Sequence, residues 1–176
     1  MRLRDATTGD CDALVDLVLR CDETYREWAG PELRIPARDE ELAHWHRRFA
    51  DPLQRIRVAE IDGAIAGTCA WTQARTGHGV GPPIRGRAHV SAVFVAPAHW
   101  RKGIAARLLE EAVAAMSRAG FESAQLWTPA GAPARRFYEA TGWTLTRATL
   151  HMPELNLPLV MYELSTAPQP PPPGPA

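Results

Sequence analysis

Between Val93 and Leu109 the chain reads VFVAPAHWRKGIAARLL. An apolar run ends at Pro97, a tight turn follows, and a helix begins whose first turn holds Gly103, small alanines and the adjacent cations Arg101 and Lys102. The leading N–H groups of a helix lack intrahelical partners and carry the positive end of its dipole. Gly103 and Ala105 leave the backbone open to a phosphate-sized anion, and Arg101 and Lys102 add countercharge. The same spacing also serves an ordinary strand-to-helix connection with a glycine cap and solvated cations. A second stretch has the opposite sign. From residue 22 to residue 41, Asp22, Glu23, Glu27, Glu32, Asp39, Glu40 and Glu41 outnumber Arg26, Arg34 and Arg38. With Tyr25 and Trp28 among them, an acidic aromatic rim would draw in a cationic amine, so these two rings are candidate substrate contacts. A plain solvated surface is the alternative.

Other suggestive residues lead to less. His44 and His46 lie two apart and diverge on a helix, whereas helical metal pairs are spaced by three or four, so no metal is expected. Cys11, Cys21 and Cys69 are odd in number and contain no Cys-x-x-Cys pair, which fits small buried hydrophobes better than disulfides or zinc ligands. The glycine-rich stretch from Thr76 to Pro83 lacks the lysine and spacing of a phosphate-binding loop and reads as a flexible connection.

The elements that must position these groups follow from pattern. Residues 1–5 alternate as a strand, and Thr8-Gly9-Asp10 supplies an N-cap before Leu14, Leu17 and Val18 at helical spacing. A second helix spans 40–49, ahead of the breaker Asp51-Pro52. Residues 55–61 and 64–74 flank Asp62-Gly63, a pair suited to a tight primed turn, and so read as a hairpin. A strand over 87–95 precedes a helix over 103–118, on which Ile104, Leu108, Leu109, Ala112 and Met116 form one stripe and which Gly120 stops. A strand over 123–128, a short helix over 133–141 and two strands from Trp143 to Tyr162 complete the order β-α-α-β-β-β-α-β-α-β-β. Residues 165–176, rich in proline, are expected to be a disordered tail.

Composition bounds the partners. The chain has 176 residues, the length of one domain, with 20 basic and 20 acidic side chains and a formal net charge of +0. That balance disfavours a nucleic-acid partner, which needs an excess of cations. No apolar h-region or membrane-length run is present, so no membrane association and a cytoplasmic location are expected. Of the 20 basic residues, only Lys102 is a lysine.

The stretch Val95-Ala-Pro97-Ala-His-Trp100-Arg-Lys-Gly-Ile-Ala105 resembles motif A of the GNAT N-acetyltransferase superfamily, written Arg/Gln-x-x-Gly-x-Gly/Ala, with Trp100 standing where arginine or glutamine is usual. Ala134-Arg-Arg-Phe-Tyr-Glu-Ala-Thr-Gly-Trp143 resembles the same family's motif B. The order of elements is also the family's, and the likeness covers most of residues 1–164, with residues 165–176 as the tail. It implies an α/β (α+β) domain with a mixed, largely antiparallel sheet flanked by helices, binding acetyl-CoA as co-substrate without a metal. The main-chain N–H groups of Arg101, Lys102, Gly103, Ile104, Ala105 and Ala106 would clamp the pyrophosphate, with Lys102 beside the phosphates. Backbone of Val93, Phe94 and Val95 would carry the pantetheine arm and polarise the thioester carbonyl.

Tyr138 falls where the family's tyrosine lies near the cofactor sulfur, and is the candidate acid for the leaving thiolate. A phenol with a pKa of about 10 can protonate a thiolate whose thiol lies near 8.5 only when transfer is favoured in place. His89 occupies the position at which some members carry a strand glutamate, so His89 or ordered water is the candidate base, with Glu60 a weaker one. Gly131 stands where many relatives have an asparagine facing the pantetheine. The likeness also places the 76–83 loop as a lid beside the acceptor, borders that site with Trp28 and Trp45, and admits a homodimer. The expected reaction is direct acetyl transfer to a primary amine of a small molecule or peptide in a ternary complex. The alternatives are a non-catalytic acyl-CoA sensor and an acyltransferase using a longer acyl chain.

Overall fold

A computed structural model describes residues 1–166. Asp62 and Gly63 both adopt positive φ, 51° and 79°, the twist that a tight hairpin turn requires. The turn folds β2 (Arg55–Ile61) back against β3 (Ala64–Arg75) in antiparallel register. β1 (Arg2–Asp5) adds to the outer side of β2, and β4 (Pro83–Val95) runs antiparallel to β3 on its other side. β5 (Ser123–Pro129) lies parallel to β4, and β7 (Leu157–Ser165) inserts between β5 and β6 (Thr144–Met152). The sheet order is therefore β1-β2-β3-β4-β5-β7-β6, with one parallel pair.

Two helical layers cover this sheet, each along the apolar stripe its sequence shows. From α1 (Cys11–Glu23) and α2 (Arg38–Ala50), Leu14, Val15, Val18 and Trp45 pack on Ile56, Val58, Ala70 and Ala92. On the opposite face, α3 (Ile104–Arg118) and α4 (Ala134–Ala140) bring Leu108, Met116 and Tyr138 onto Cys69, Trp71, Ala88 and Val90. All three cysteines are buried and free. The element order is the one the sequence predicts.

Several boundaries differ for local reasons. Thr8-Gly9-Asp10 forms a 3-10 turn that ends in Asp10, the N-cap residue of α1, which starts at Cys11; the Asp10 side chain makes no bond to that helix. The Asp10 carboxylate instead accepts the Thr7 N–H at 2.7 Å and two Arg4 N–H groups at 2.8 Å. β4 begins at Pro83, earlier than the apolar run, because Pro83 pairs with Arg75 at the first strand position, where a missing N–H is tolerated. β7 continues through Ser165, and Thr166 is buried, its hydroxyl donating to Phe121 O at 2.6 Å. The expected boundary at 164 thus falls inside a paired strand, and residues 167–176 of the proline-rich tail lie outside the described residues.

The decisive irregularity is in β4. It pairs with β5 only from Arg87 to Val90, opposite Ser123 to Leu126, and beyond that point the two strands share no register. At the same place the β3 pairing steps from Trp71↔Val90 to Ala70↔Ala92, leaving Ser91 as a bulged extra residue. The bulge exchanges the faces of β4: Val90 belongs to the α3 side and Ala92 to the α1 side. Arg48 of α2 pins it, donating to Ser91 Oγ at 2.8 Å and to Ser91 O at 3.1 Å, while Gln54 Nε2 donates to the same hydroxyl at 3.1 Å. The 76–83 connection joins β3 to β4 at the end of the sheet away from this divergence and closes on itself through Thr76. It is not beside the opening, which corrects its expected role as a lid. The β6–β7 turn reaches the open end instead, since β7 runs antiparallel to β5 with Leu159 opposite Pro129.

Close approach of α3 to the sheet depends on Gly67, where a Cβ would stand 3.0 Å from Phe94 O and 3.2 Å from both Ile104 Cγ2 and Leu108 Cδ1. Gly67→Ala is expected to destabilise the fold by about 1–3 kcal/mol, seen as a lower urea midpoint with an unchanged slope.

Candidate functional site

Where β4 ends, a 3-10 turn (Pro97–His99) leads through Arg101 and Gly103, both at positive φ (61° and 77°), into α3. A Cβ at Gly103 would meet nothing within 4 Å, so glycine serves the backbone angle there and the space above it is open. The first backbone bond of the helix entry runs from Arg107 N–H to Gly103 O at 3.1 Å. Among the described residues, the N–H groups of residues 101–106 have no protein acceptor. The turn is a set of unpaired donors at the positive end of a 15-residue helix, suited to a phosphate. The Lys102 ammonium rests on its own turn, donating to Ala98 O at 3.0 Å, and the half-exposed Trp100 indole donates to Val95 O at 2.6 Å.

Val93, Phe94 and Val95 pair with β3 on one side only, opposite Cys69, Thr68 and Gly67. Their other edge is the one β5 has left, so an extended ligand arm can lie there and be held by main-chain bonds. The Cys21 thiol also reaches this end of β4, with Sγ 3.3 Å from Val95 O.

Tyr138 projects from α4 into the α3-side core, within ring contact of Phe137, Trp143 and Tyr162 at centroid distances of 5.3, 6.3 and 6.0 Å. It is 7% exposed, and its hydroxyl has no hydrogen-bond partner among the described residues. Burial, and secondarily Cys69, push its pKa well above the ordinary phenol value. The group therefore stays protonated at neutral pH and keeps an unused donor. Nearby, Tyr162 donates to Glu139 Oε1 at 2.6 Å and accepts from Arg135 Nε at 3.0 Å, which ties α4 to β7.

His89 is the register partner of Gln125, on the paired segment just before the divergence. Its Nδ1 is buried without a partner. Burial pulls its pKa down to about 4, opposed by the Gln125 backbone and assisted by the Arg48 charge. It is neutral at pH 7 but a feeble base there. Glu60 accepts from Arg4 Nε at 2.9 Å on β2, two strands from β4, and is tied to the sheet's far side. His44 Nε2 accepts from Arg48 Nε at 2.7 Å, placing that histidine in the clamp under the bulge.

The acidic stretch divides into two kinds of residue. Glu23 pairs with Arg26 at 2.7 Å, and Glu40 with Arg34 at 2.7 Å, while Arg38 turns to Asp12 and Asp16 of α1. These are solvated surface pairs worth little. Tyr25 and Trp28 stack with ring centroids 4.8 Å apart, and Trp28 lies over Gly131, where a Cβ would stand 3.4 Å from its Cε3. Arg34 N–H donates to Leu155 O at 3.2 Å and Asn156 Nδ2 to Glu32 O at 3.2 Å. The segment between α1 and α2 is thus strapped across the open end of β5 and β7.

Asp22 is different. It is 4% exposed, and no donor or cation pairs with its carboxylate among the described residues. Burial, then Glu41 and Glu23, raise its pKa to about 7. Glu41, also raised by burial, accepts from Trp45 Nε1 at 2.9 Å. Tyr25 lies within electrostatic reach of Asp22 and of Tyr138, both of which add to the upward shift that burial imposes on its phenol. Asp22 escapes notice as one acid in a charged run. Its signal is positional, because counting by four from Leu14 and Val18 reaches Asp22 on the buried stripe, whereas Asp12, Asp16 and Glu23 fall outside it.

With its pKa raised in the folded state, Asp22 favours folding fully below about pH 4, and the contribution is lost as pH rises through about 7. Asp22→Asn is therefore expected to melt higher than the parent at pH 8, by on the order of 5 °C, with the gap closing towards pH 4 in ligand-free thermal scans.

Solved structures show the same architecture. Similar ones include yncA from Salmonella typhimurium with its cofactor acetyl-CoA, 22% identical, TM-score 0.69, covering 99% of this chain and 98% of that one. PaiA N-acetyltransferase from Thermoplasma acidophilum in complex with coenzyme A is 15% identical, TM-score 0.68, with 93% and 98% covered. Ribosomal-protein-alanine N-acetyltransferase from Brucella melitensis is 20% identical, TM-score 0.69, with 94% and 99% covered. No curated protein matches the sequence. The model of the acetyltransferase (GNAT) family matches residues 21–143, a span that holds the strap, the bulged strand, the cradle and Tyr138. The chain belongs to the GNAT acetyltransferase family.

Proposed function

We propose that the protein transfers the acetyl group of acetyl-CoA to a primary amine of a small molecule or peptide, by direct attack in a ternary complex. The observation that carries this reading is the parting of β4 from β5 after Val90 and Leu126, next to a helix entry whose amides are unpaired. One end of the opening suits a pyrophosphate on the backbone of Arg101, Lys102, Gly103, Ile104, Ala105 and Ala106. The free edge of Val93, Phe94 and Val95 suits the amide-bearing arm of coenzyme A. Gly103 and Ala105 keep the backbone accessible, while the Val95 carbonyl already accepts from the Trp100 indole at 2.6 Å, which leaves the edge of Val93 and Phe94 for the arm. The neighbours solved with coenzyme A and with acetyl-CoA, and the one whose acceptor is a ribosomal-protein alanine, support the cofactor and the amine.

The reaction forms a C–N bond and breaks a C–S bond. A neutral amine adds to the thioester carbonyl, whose oxygen is stabilised by backbone donors near Val93. The intermediate collapses, the thiolate takes the Tyr138 proton, and the phenolate recovers one from the amide nitrogen. Tyr138 suits the task because burial holds its proton and leaves its hydroxyl without a competing acceptor. His89, pulled down to about 4, would act only through ordered water. Tyr25 and Trp28 form the aromatic wall of the acceptor side. Among the described residues no helix is long and apolar enough to cross a membrane, and we place the reaction in the cytoplasm.

Tyr138→Phe is expected to lower kcat by about 10²-fold or more with the Kd for CoA within about twofold of the parent, measured by thiol release and calorimetry. Ala105→Glu, which sets a carboxylate in the cradle, is expected to weaken CoA by about tenfold or more. Tight CoA binding with no turnover on any of a broad set of amines would select the acyl-CoA sensor instead.

A further inference from the structure

A buried carboxylate that nothing pairs with is costly, and the partner that removes the cost is a cation. Asp22 approaches that condition: it is 4% exposed on the last turn of α1, beside Cys21, whose thiol touches the carbonyl of Val95, and its carboxylate has no partner among the described residues while its oxygens keep a trace of solvent contact through which a ligand can enter. We infer that Asp22 receives the acceptor: a primary ammonium docks on its carboxylate between the strap and α2 and gives it the proton that must leave before attack. The inference deepens the acetyl-transfer reading and rests on it.

The surroundings favour Asp22 over every other acid or base nearby. The charged and titratable groups that bear on it are Cys21 and Glu23 from α1, Tyr25 from the following turn and Glu41 from α2; the cation that acts on neighbouring Cys21, Arg20 of α1, is exposed and does not bear on Asp22. Cys21 is pushed up to about 12 by burial and stays neutral. Glu41 adds negative potential, but its carboxylate already accepts from Trp45 and lies near the Arg48 charge. Glu23 and Glu40 are spent on arginines at the surface. His89 lies near the Arg48 guanidinium, which would repel an ammonium. Tyr25 and Trp28 wall the same side, and Tyr25 is coupled electrostatically to both Asp22 and Tyr138.

Proton bookkeeping closes with these two groups. The ammonium nitrogen loses two protons in becoming an amide N–H: the first goes to Asp22, converting carboxylate to acid, and the second ends on sulfur by way of Tyr138. The products are the acetylated amine, CoA thiol and protonated Asp22, which returns its proton to solvent. A carboxyl poised near neutrality is matched to this exchange.

Two measurements on the full chain test the assignment. With aspartate 13C-labelled and the Asp22 carboxyl signal assigned by its loss in Asp22→Asn, a pH titration in the presence of CoA is run with and without n-butylammonium. The midpoint should fall by about one pH unit or more when the ammonium is present, and an unmoved midpoint overturns the inference whether or not transfer occurs. In acetyl transfer to n-butylamine, Asp22→Asn should lower kcat by about 10²-fold or more and remove the low-pH limb of the parent's rate profile, with CoA affinity unchanged. Retention of rate and limb in Asp22→Asn also overturns it. Failure of the parent to bind CoA would instead sink the acetyl-transfer reading, with the carboxyl titration still deciding the role of Asp22.

Discussion

The Ser91 bulge governs the rest of the molecule. One extra residue in β4 breaks its pairing with β5 and reverses the faces of the residues that follow, so a strand edge lies open in the middle of a sheet. An unpaired edge is normally a liability that a fold covers or closes. Here it is held open by a half-buried cation: Arg48 bonds Ser91 twice, lies 5.1 Å over the Trp45 ring and is fixed in turn by His44. Burial lowers the Arg48 pKa to about 10, still far enough above neutrality for the clamp to remain charged.

Around that opening the fold arranges two electrostatic environments of opposite sign. Unpaired amides at the start of α3 attract anion, and a buried carboxylate at the end of α1 attracts cation. A ligand pair consisting of a polyphosphate thioester and an amine is complementary to both. The overall charge of zero averages over these environments and conceals them. Most of the surface charge takes no part, because the arginines of the strap are spent on ordinary surface pairs and on backbone carbonyls.

Legibility in the sequence tracked how local each cause was. The hairpin at Asp62-Gly63, the stripe of α3 and the turn that enters α3 each depend on neighbours a few residues apart, and each is visible in a short window. The boundaries that moved depend on distant partners. β4 reaches back to Pro83 because Arg75 is there to pair with it, and β7 runs on through Ser165 because Ser123 lies opposite. Gly131 gives a similar lesson. The space beside this glycine is taken by Trp28, about a hundred residues earlier in the chain.

By itself, then, the order of residues settled the elements, their sequence and the turn into α3, since periodicity, turn chemistry and a helix entry are matters of nearest neighbours. It also contained the position of Asp22 on a buried stripe, though not the meaning of that position. Only packing decided that Asp22 would be buried with Glu41 near enough to raise its pKa, and that Arg48 would reach across to pin a bulge 43 residues away. Burial and pairing are sums over contacts distant in sequence, so the difference between a spent charge and a working one is settled by the tertiary fold.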